Sequence, residues 1–491
     1  MELPEKPSDA PEAWKEALNK FVEISKSAKD DFKFSEEYGS DAKEKFCLKL
    51  SEAIDSQHQN QTWDDDLLGL ALRANCGILR ERGEELKPLL EPTHIQKLVA
   101  FAKGHTGTGD LVEDYAVKSL NNTFFGLDKT QSAFLELPKE DAFDILFGLL
   151  GTASNKALPH LFHVLMHLVA GTNGSKISDQ DCKQSATDAI NILSKLCTDA
   201  LKLEEDEEWG RLDFKHGDDV QKSLENGLKY VYAVGATHEG VLPLLKEEDE
   251  RNKPTDAEIA DIVANLSLTA SKVPILDKLG FLLIHLLMSK GEDKKALQEV
   301  QHQVFCVLMF AGNVPGFPDF LVQKGVIAKM VDLTVDVLKD IKSFDKSDFK
   351  VKQGLLSTLL PMLIVNNTLA ENSESAKITM SDKLYPYELP EPEYSEMNEE
   401  EAKQAQANRH MEGTTPDEVP GALLKPLMTS YNSNIKRFVG EWIWTLCDGD
   451  NAMFILRVGY GNGVHMMAMK AGMMGEILKK QEEDRKKRQG N

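Results

Sequence analysis

The chain has 491 residues, enough to bury a large core, and carries 80 acidic against 57 basic residues for a formal net charge of −23. That balance argues against nucleic acid and anionic membrane as main partners, which would repel it, and for solubility or a basic protein ligand. Six dispersed cysteines (Cys47, Cys76, Cys182, Cys197, Cys306 and Cys447) show no Cys-x-x-Cys and no zinc spacing, so buried free thiols in a reducing compartment are expected.

The start, Met1-Glu-Leu-Pro-Glu-Lys-Pro, lacks a charged-then-apolar signal pattern, and the longest apolar run, Leu279 to Met288, is too short to cross a bilayer. A cytoplasmic protein follows as the expectation. Helical periodicity dominates from the first residues on. Trp14, Ala17, Leu18, Phe21 and Ile24 share one apolar face, and Phe46, Leu50, Ala53 and Ile54 share the next. Thr62 with Asp65 reads as the cap of a third helix, and Thr93 as the cap of another after the Glu91-Pro92 stop. Gly104-His-Thr-Gly107-Thr-Gly109-Asp110 is glycine-rich, but it lacks Gly-Lys-Ser/Thr and follows a helix, so it does not read as a phosphate-binding loop.

A weak repeat then emerges. Leu120-Asn121-Asn122-Thr123-Phe124 recurs as Val365-Asn366-Asn367-Thr368-Leu369, and apolar helices carrying one Asn stand at Asn75, Asn191 and Asn265. Asn75 and Asn122 lie one armadillo-type period apart, roughly 40–47 residues. An Asn so placed either hydrogen-bonds the backbone of a ligand from an inner, concave helix or satisfies the end of a neighbouring helix. His160, His163 and His167 share a helix face at a spacing that permits metal, yet no carboxylate or Cys accompanies them, so core or groove histidines are expected. Gln323 to Val331, with Gly325 ahead of an apolar run, has the form of a repeat's inner helix. Two acidic stretches interrupt the pattern: Leu203 to Trp209, and Tyr387 to Glu418, which carries nine carboxylates from Glu391 onward against Lys403 and Arg409 and cannot form a core.

Beyond it, Ile435, Phe438, Val439, Trp442 and Leu446 recur at helical spacing and require a covered apolar face. Cys447-Asp448-Gly449-Asp450 is a turn-rich break, followed by an apolar run from Met453 to Val458. Gly459-Tyr460-Gly461-Asn462-Gly463 is expected to form a tight turn between helices, because Gly and Asn tolerate positive φ. The next segment is Met-rich (Met466, Met467, Met469, Met473, Met474), suited to core packing or to a soft binding surface. Lys479 to Arg488 mixes both signs and reads as a short solvated helix.

The string from Leu423 to Met474, with Trp442-Ile-Trp-Thr-Leu-Cys447, Phe454 and Gly459-Tyr-Gly-Asn462, resembles the C-terminal signature of the synembryn family, non-receptor activators and chaperones of G-protein α subunits. Ser119 to Phe125 is similar to that family's Leu-x-Asn-x-x-Phe helix, Leu161 to Leu165 to its following helix, and Leu359 to Pro386 to the segment leading into the signature. The chain departs from the family at Val464 and His465, in its short tail, and in the spacing of a basic pair for which Arg73 and Arg80 are the candidates. The resemblance implies an all-α, armadillo/HEAT-like right-handed superhelical solenoid of about nine or ten repeats. It also implies binding of GDP-loaded or nascent Gα without βγ, with Arg73, Arg80, Asn122, Phe125, Phe162, Tyr460 and Asn462 as candidate contacts and the Gα C-terminal helix in the concave groove. The expected organisation is repeats over 1–388, an acidic flexible insertion over 389–420, C-terminal repeat helices over 421–475 and a charged tail over 476–491. No Gly-x-Ser-x-Gly, His-Glu-x-x-His or compact acid/base pair is present. The expectation is therefore an exchange factor and folding chaperone, not an enzyme, with no metal or cofactor and no stable membrane insertion. It should be a monomer, open to recruitment to the cell cortex. The rival reading is an armadillo-repeat scaffold or co-chaperone adaptor without exchange activity.

Overall fold

The computed structural model describes residues 3–4, 11–27, 33–81, 83–125, 128–138, 143–171, 174–202, 209–251, 273–311, 317–343, 349–386 and 419–468. Outside them lie Asn265, most of the first acidic stretch, the second acidic stretch, Met469 to Met474 and the charged tail. The described chain is an all-α, armadillo/HEAT-like succession of helices, as expected, in two compact units, Met1–Gln303 and Val304–Asn491.

In the first unit the helices are α1 (Pro11–Ser27), α2 (Phe34–Tyr38), α3 (Ser40–Asn60), α4 (Asp65–Ile78), α5 (Lys87–Leu90), α6 (Pro92–Gly104) and α7 (Leu111–Phe124). They continue as α8 (Asp128–Leu135), α9 (Phe143–Gly148), α10 (Leu158–Ala170), α11 (Asp179–Ala200), α12 (Asp219–Thr237), α13 (Val241–Arg251) and α14 (Ile275–Met288). Helices α4, α7, α10 and α12 form one stack, each packed on the next, while α3 and α6 back α4 and α7, and α11 backs α12. The repeat is written in its cross-links. Ser119 Oγ donates to Leu72 O, 47 residues back, Asn122 Nδ2 to Cys76 O, 46 back, and the Ser185 and Tyr230 hydroxyls bond across 45. The two expected apolar faces hold: Trp14, Leu18, Phe21, Phe46, Leu50, Ala53 and Ile54 are buried.

Two expected caps do not form. Asp64, whose carboxylate accepts from Leu67 N at 2.8 Å, caps α4, while Thr62 turns back to Gln57 Oε1. Glu91 occupies the cap position of α6 without a side-chain bond, and Pro92, whose fixed φ suits a first helical position, starts the helix ahead of Thr93. The sequence also gave no sign of a small sheet. Strands β1 (Leu201–Lys202), β2 (Arg211–Leu212) and β3 (Lys290–Gly291) run in that order, β1 antiparallel and β3 parallel to β2, with Leu212 opposite Leu201 and Gly291.

Helix α15 (Lys294–Ala311) contains the division between units. The second unit continues with α16 (Phe317–Gln323), α17 (Val326–Ser343), α18 (Phe349–Asn372) and α19 (Glu374–Leu384), then a 3-10 segment (Pro420–Thr429), α20 (Ser433–Leu446) and α21 (Asn451–Val458). Gly325, at φ 71°, sets the break ahead of α17, as its sequence suggested. Helix α18 packs on α17 and α20, and the 3-10 segment packs on α20 and α17. Ile435, Val439 and Trp442 are fully buried and Leu446 nearly so, so the stripe read from the sequence packs inward except at Phe438, which is half-buried. All six cysteines are free thiols, and all but Cys306 are buried.

Candidate functional site

Two places collect the residues singled out above, one in each unit. The first is the face of α4, α7 and α10. Arg73 on α4 and Lys118 on α7 both lie against the Tyr115 ring, the guanidinium carbon 5.5 Å and the ammonium nitrogen 5.0 Å from its centroid. Asp114, buried beneath them, accepts from Lys118 at 2.8 Å and from Lys156 at 3.0 Å. One buried carboxylate against three cations leaves the patch positive, in a chain whose net charge is strongly negative. Arg80 is exposed just past the end of α4.

Farther along the same helices the surface becomes neutral and aromatic. Phe125, 53% exposed, meets the His167 ring edge-on at 5.3 Å, and His167 lies 4.4 Å from His163. Burial lowers His160 to about 4, with Lys118 adding to the effect, and burial lowers His167 to about 4, with His163 adding. Burial also lowers His163 and, on α15, His302, with Lys229 repelling each protonated form. At neutral pH these rings are therefore uncharged hydrogen-bonding surface.

Asn122 stands between the positive and neutral parts, and its Nδ2 donates to Cys76 O at 2.9 Å, closing the last turn of α4. Of the two roles open to such an Asn, this bond is the one visible. Phe162 is taken off the expected surface: its ring is fully buried against Tyr230, 6.3 Å centroid to centroid. The helix periodicity that made it apolar also turned it into the core, and exposed Phe125 supplies the aromatic instead.

The glycine-rich loop between α6 and α7 carries an anion of its own. Glu113, 1% exposed, accepts from Gly107 N at 2.9 Å, Gly109 N at 2.8 Å and Ser154 N at 2.9 Å. Gly107 and Gly109 adopt φ of 78° and 67°, and the amides such a turn would aim at a phosphate are filled by this carboxylate. Nothing in the sequence singled out Glu113. Asp65, His105 and Asp110 also gather their ligand atoms within 4.8 Å. Asp110 caps α7 and Asp65 sits in the first turn of α4, so both face helix N-termini, where a cation is disfavoured.

The second place is the C-terminal signature. Asp448 and Gly449, at φ 53° and 73°, make the break between α20 and α21, and Asp450 caps α21. The glycine turn expected over 459–463 is a single residue. Gly459, at φ 84°, ends α21, and helical backbone resumes at 460 and runs through 468. The later glycines need no turn: a Cβ on Gly463 would lie 2.7 Å from Ile455 Cγ1, so Gly463 serves close helix packing. Tyr460 is 64% exposed on this helix, and Asn462 Nδ2 donates back to Val458 O at 3.0 Å. Met466 is buried against Gly440, where a Cβ would stand 3.0 Å from its Cε. Arg457, buried, donates to Leu446 O at 3.0 Å and to Ser381 Oγ at 3.2 Å, a cation at the C-terminus of α20. Its guanidinium also covers the Tyr385 ring at 4.1 Å. Gly421 approaches the same ring so closely that a Cβ there would lie 2.3 Å from Tyr385 Cε1.

Helix α20 also contributes to a cleft of about 700 Å³ with α18 and α19, whose walls include Glu371, Lys377, Phe438, Glu441, Trp444 and Asp448. Nothing in the sequence pointed to this cleft: apart from Phe438 its α20 residues lie off the apolar stripe, and only the packing of α20 on α18 brings the lining together.

The family described as guanine nucleotide exchange factor synembryn matches residues 78–491. A curated relative, "Chaperone Ric-8A" of Danio rerio, is 26% identical over 246 residues, 48% of this chain and 40% of that protein, so the match spans less than half of the relative's length. Among solved structures, an engineered protein aligns at 16% identity and TM-score 0.44, covering 94% of this chain and 91% of its own. A structure of a SYS-1/POP-1 complex aligns at 13% identity and TM-score 0.38, covering 90% of this chain and 71% of its own.

Proposed function

The chain belongs to the guanine nucleotide exchange factor synembryn family, and on that footing we propose that it binds heterotrimeric G-protein α subunits, chaperones their nascent form and promotes nucleotide release. The observation that carries the reading is the graded face of α4, α7 and α10. An amphipathic helix that ends in a carboxylate has a negative C-terminal end, from its α-carboxylate and its unpaired carbonyls, and an apolar side. Arg73, Lys118 and Lys156 complement the first; Phe125 with the neutral imidazoles of His163 and His167 complements the second. The C-terminal helix of Gα is the proposed occupant, and Arg73, Arg80, Asn122 and Phe125 are the proposed contacts on that face. Phe162 acts from beneath, by holding α10 against α12, and Tyr460 and Asn462 are proposed contacts of the second unit.

Exchange through such a surface needs no catalytic side chain. A protein that binds the open, nucleotide-free state of Gα more tightly than the closed state shifts the equilibrium by the difference in affinity, and nucleotide leaves. The same preference stabilises a nascent Gα that has not yet bound nucleotide. Release of labelled GDP from purified Gα, with and without the full chain, tests the proposal. Acceleration that Arg73→Glu abolishes is the expected result. Tight binding of Gα with an unchanged release rate would leave a scaffold or adaptor instead, and no binding at all would overturn both.

A further inference from the structure

We infer that the cleft between α18, α19 and α20 of the second unit receives a cationic side chain, an Arg guanidinium or Lys ammonium, presented by a protein segment. Its walls combine what such a group requires: carboxylates and an aromatic face around a space of about 700 Å³. The cations the chain itself supplies there are already engaged. Lys377 is held between Glu374, at 2.6 Å, and Asp448, and Arg437 donates through Nε to Glu441 Oε1 at 2.9 Å. Arg437 also stacks on the Phe438 ring, 4.9 Å from its centroid, so the rim already shows the guanidinium–carboxylate–aromatic arrangement offered inside.

Glu371 is different, because among the described residues no Lys or Arg pairs with it. Its Oε1 is held instead by Asn367 Nδ2 at 3.0 Å. Asn367, only 7% exposed, is fixed in turn by Thr445, whose Oγ1 lies 2.8 Å from Asn367 Oδ1 and 3.0 Å from Glu441 O and shares its single proton between the two acceptors. A buried amide oriented from a different helix thus positions one exposed carboxylate of α18 in the cleft that α20 lines with Trp444 and Phe438. A neutral donor would gain only an ordinary hydrogen bond from this arrangement, and an anion would be repelled. A cation gains a charge-assisted hydrogen bond to Glu371 and the face of an indole. The cleft lies wholly within the second unit, so the inference stands apart from the Gα-binding face proposed for the first.

The test uses the full chain labelled with 5-fluorotryptophan, its Trp444 resonance identified by loss in Trp444→Phe. The probe is acetyl-Ala-Ala-Arg-Ala-Ala-amide, titrated into the tens of millimolar at constant ionic strength, against the same peptide with citrulline, which keeps the shape and removes the charge. The Arg peptide should shift the Trp444 resonance saturably and the citrulline peptide should not. Glu371→Gln should weaken binding at least about five-fold, the loss of a charge-assisted hydrogen bond, and Thr445→Val by less, with circular dichroism unchanged in both. An absent response to the Arg peptide, an equal response to citrulline, or unaltered affinity in Glu371→Gln overturns the assignment. Because the probe contains no Gα, none of these outcomes depends on the nucleotide-release assay.

Discussion

The face of α4, α7 and α10 and the cleft between α18, α19 and α20 are built from opposite charges. In the first, Asp114 is buried and the cations Arg73, Lys118 and Lys156 reach the surface; in the second, Lys377 is mostly buried and Glu371 and Asp448 are exposed. A net charge of −23 would have placed a basic ligand everywhere. Burying the counter-ion of one sign decides the sign of a site, and the total charge of the chain does not. The contrast extends to stability, since the first face is tied by side chain to backbone bonds between repeats, and the second unit rests on large apolar side chains in α20.

The sharpest way to break the comparison is Trp442→Ala. Emptying the volume of a fully buried indole should destabilise the second unit by roughly 3–5 kcal/mol and leave the first untouched. Hydrogen exchange resolved by segment should show faster exchange in α18 and α20 with α4, α7 and α10 unchanged. Uniform acceleration would mean that the two units unfold as one.

Glu113→Ala probes the first unit in the same way. Removing the carboxylate leaves three loop amides without their acceptor, and we expect a loss of roughly 2–3 kcal/mol, seen as earlier urea unfolding of α6 and α7. A neutral result would show that water replaces the carboxylate without cost. Asn122→Ala should cost about 1 kcal/mol, the bond to Cys76 O, if that contact is its whole role. A larger loss in affinity for a Gα C-terminal peptide than in stability would assign Asn122 to ligand binding as well.

The smallest effect should come from mild acid. His160 and His167 are lowered from 6.5 to about 4, so between these values the unfolded chain binds protons that the folded first unit does not. Their contribution is fully present above pH 6.5 and declines as pH falls toward 4. At pH 6.5, where each unfolded ring is half protonated, the two together should cost less than about 1 kcal/mol, and the loss should grow by up to about 1.4 kcal/mol per ring for each further unit of pH. Exchange rates corrected for intrinsic pH dependence should show α10 loosening before α20, where the one described histidine of that unit, His465, is exposed. Simultaneous loosening would remove the histidines from the explanation.

The sequence by itself determined whatever depends on local periodicity. The helices, the repeat linking Asn75 to Asn122, the buried stripe through Trp442 and the break at Asp448-Gly449 all follow from spacing and from residues that tolerate positive φ, and the signature around Gly459-Tyr460-Gly461-Asn462 carried the family. The same local logic could not say which way a residue faces once helices stack. Phe162 and Phe125 look alike as apolar helix positions, yet contact with Tyr230 buries one and the end of α7 exposes the other. Gly461 and Gly463 look like turn residues, but a neighbouring helix explains Gly463 and the turn uses Gly459 alone. Glu113, Asp114 and Glu371 are three carboxylates among 80 acidic residues in the chain. What separates them is distance in space: one fills a loop of amides, one is buried under lysines, and one is held open by Asn367 and Thr445. Only packing across helices far apart in the chain creates those differences, because the charge, burial and hydrogen bonds of a side chain are properties of its surroundings.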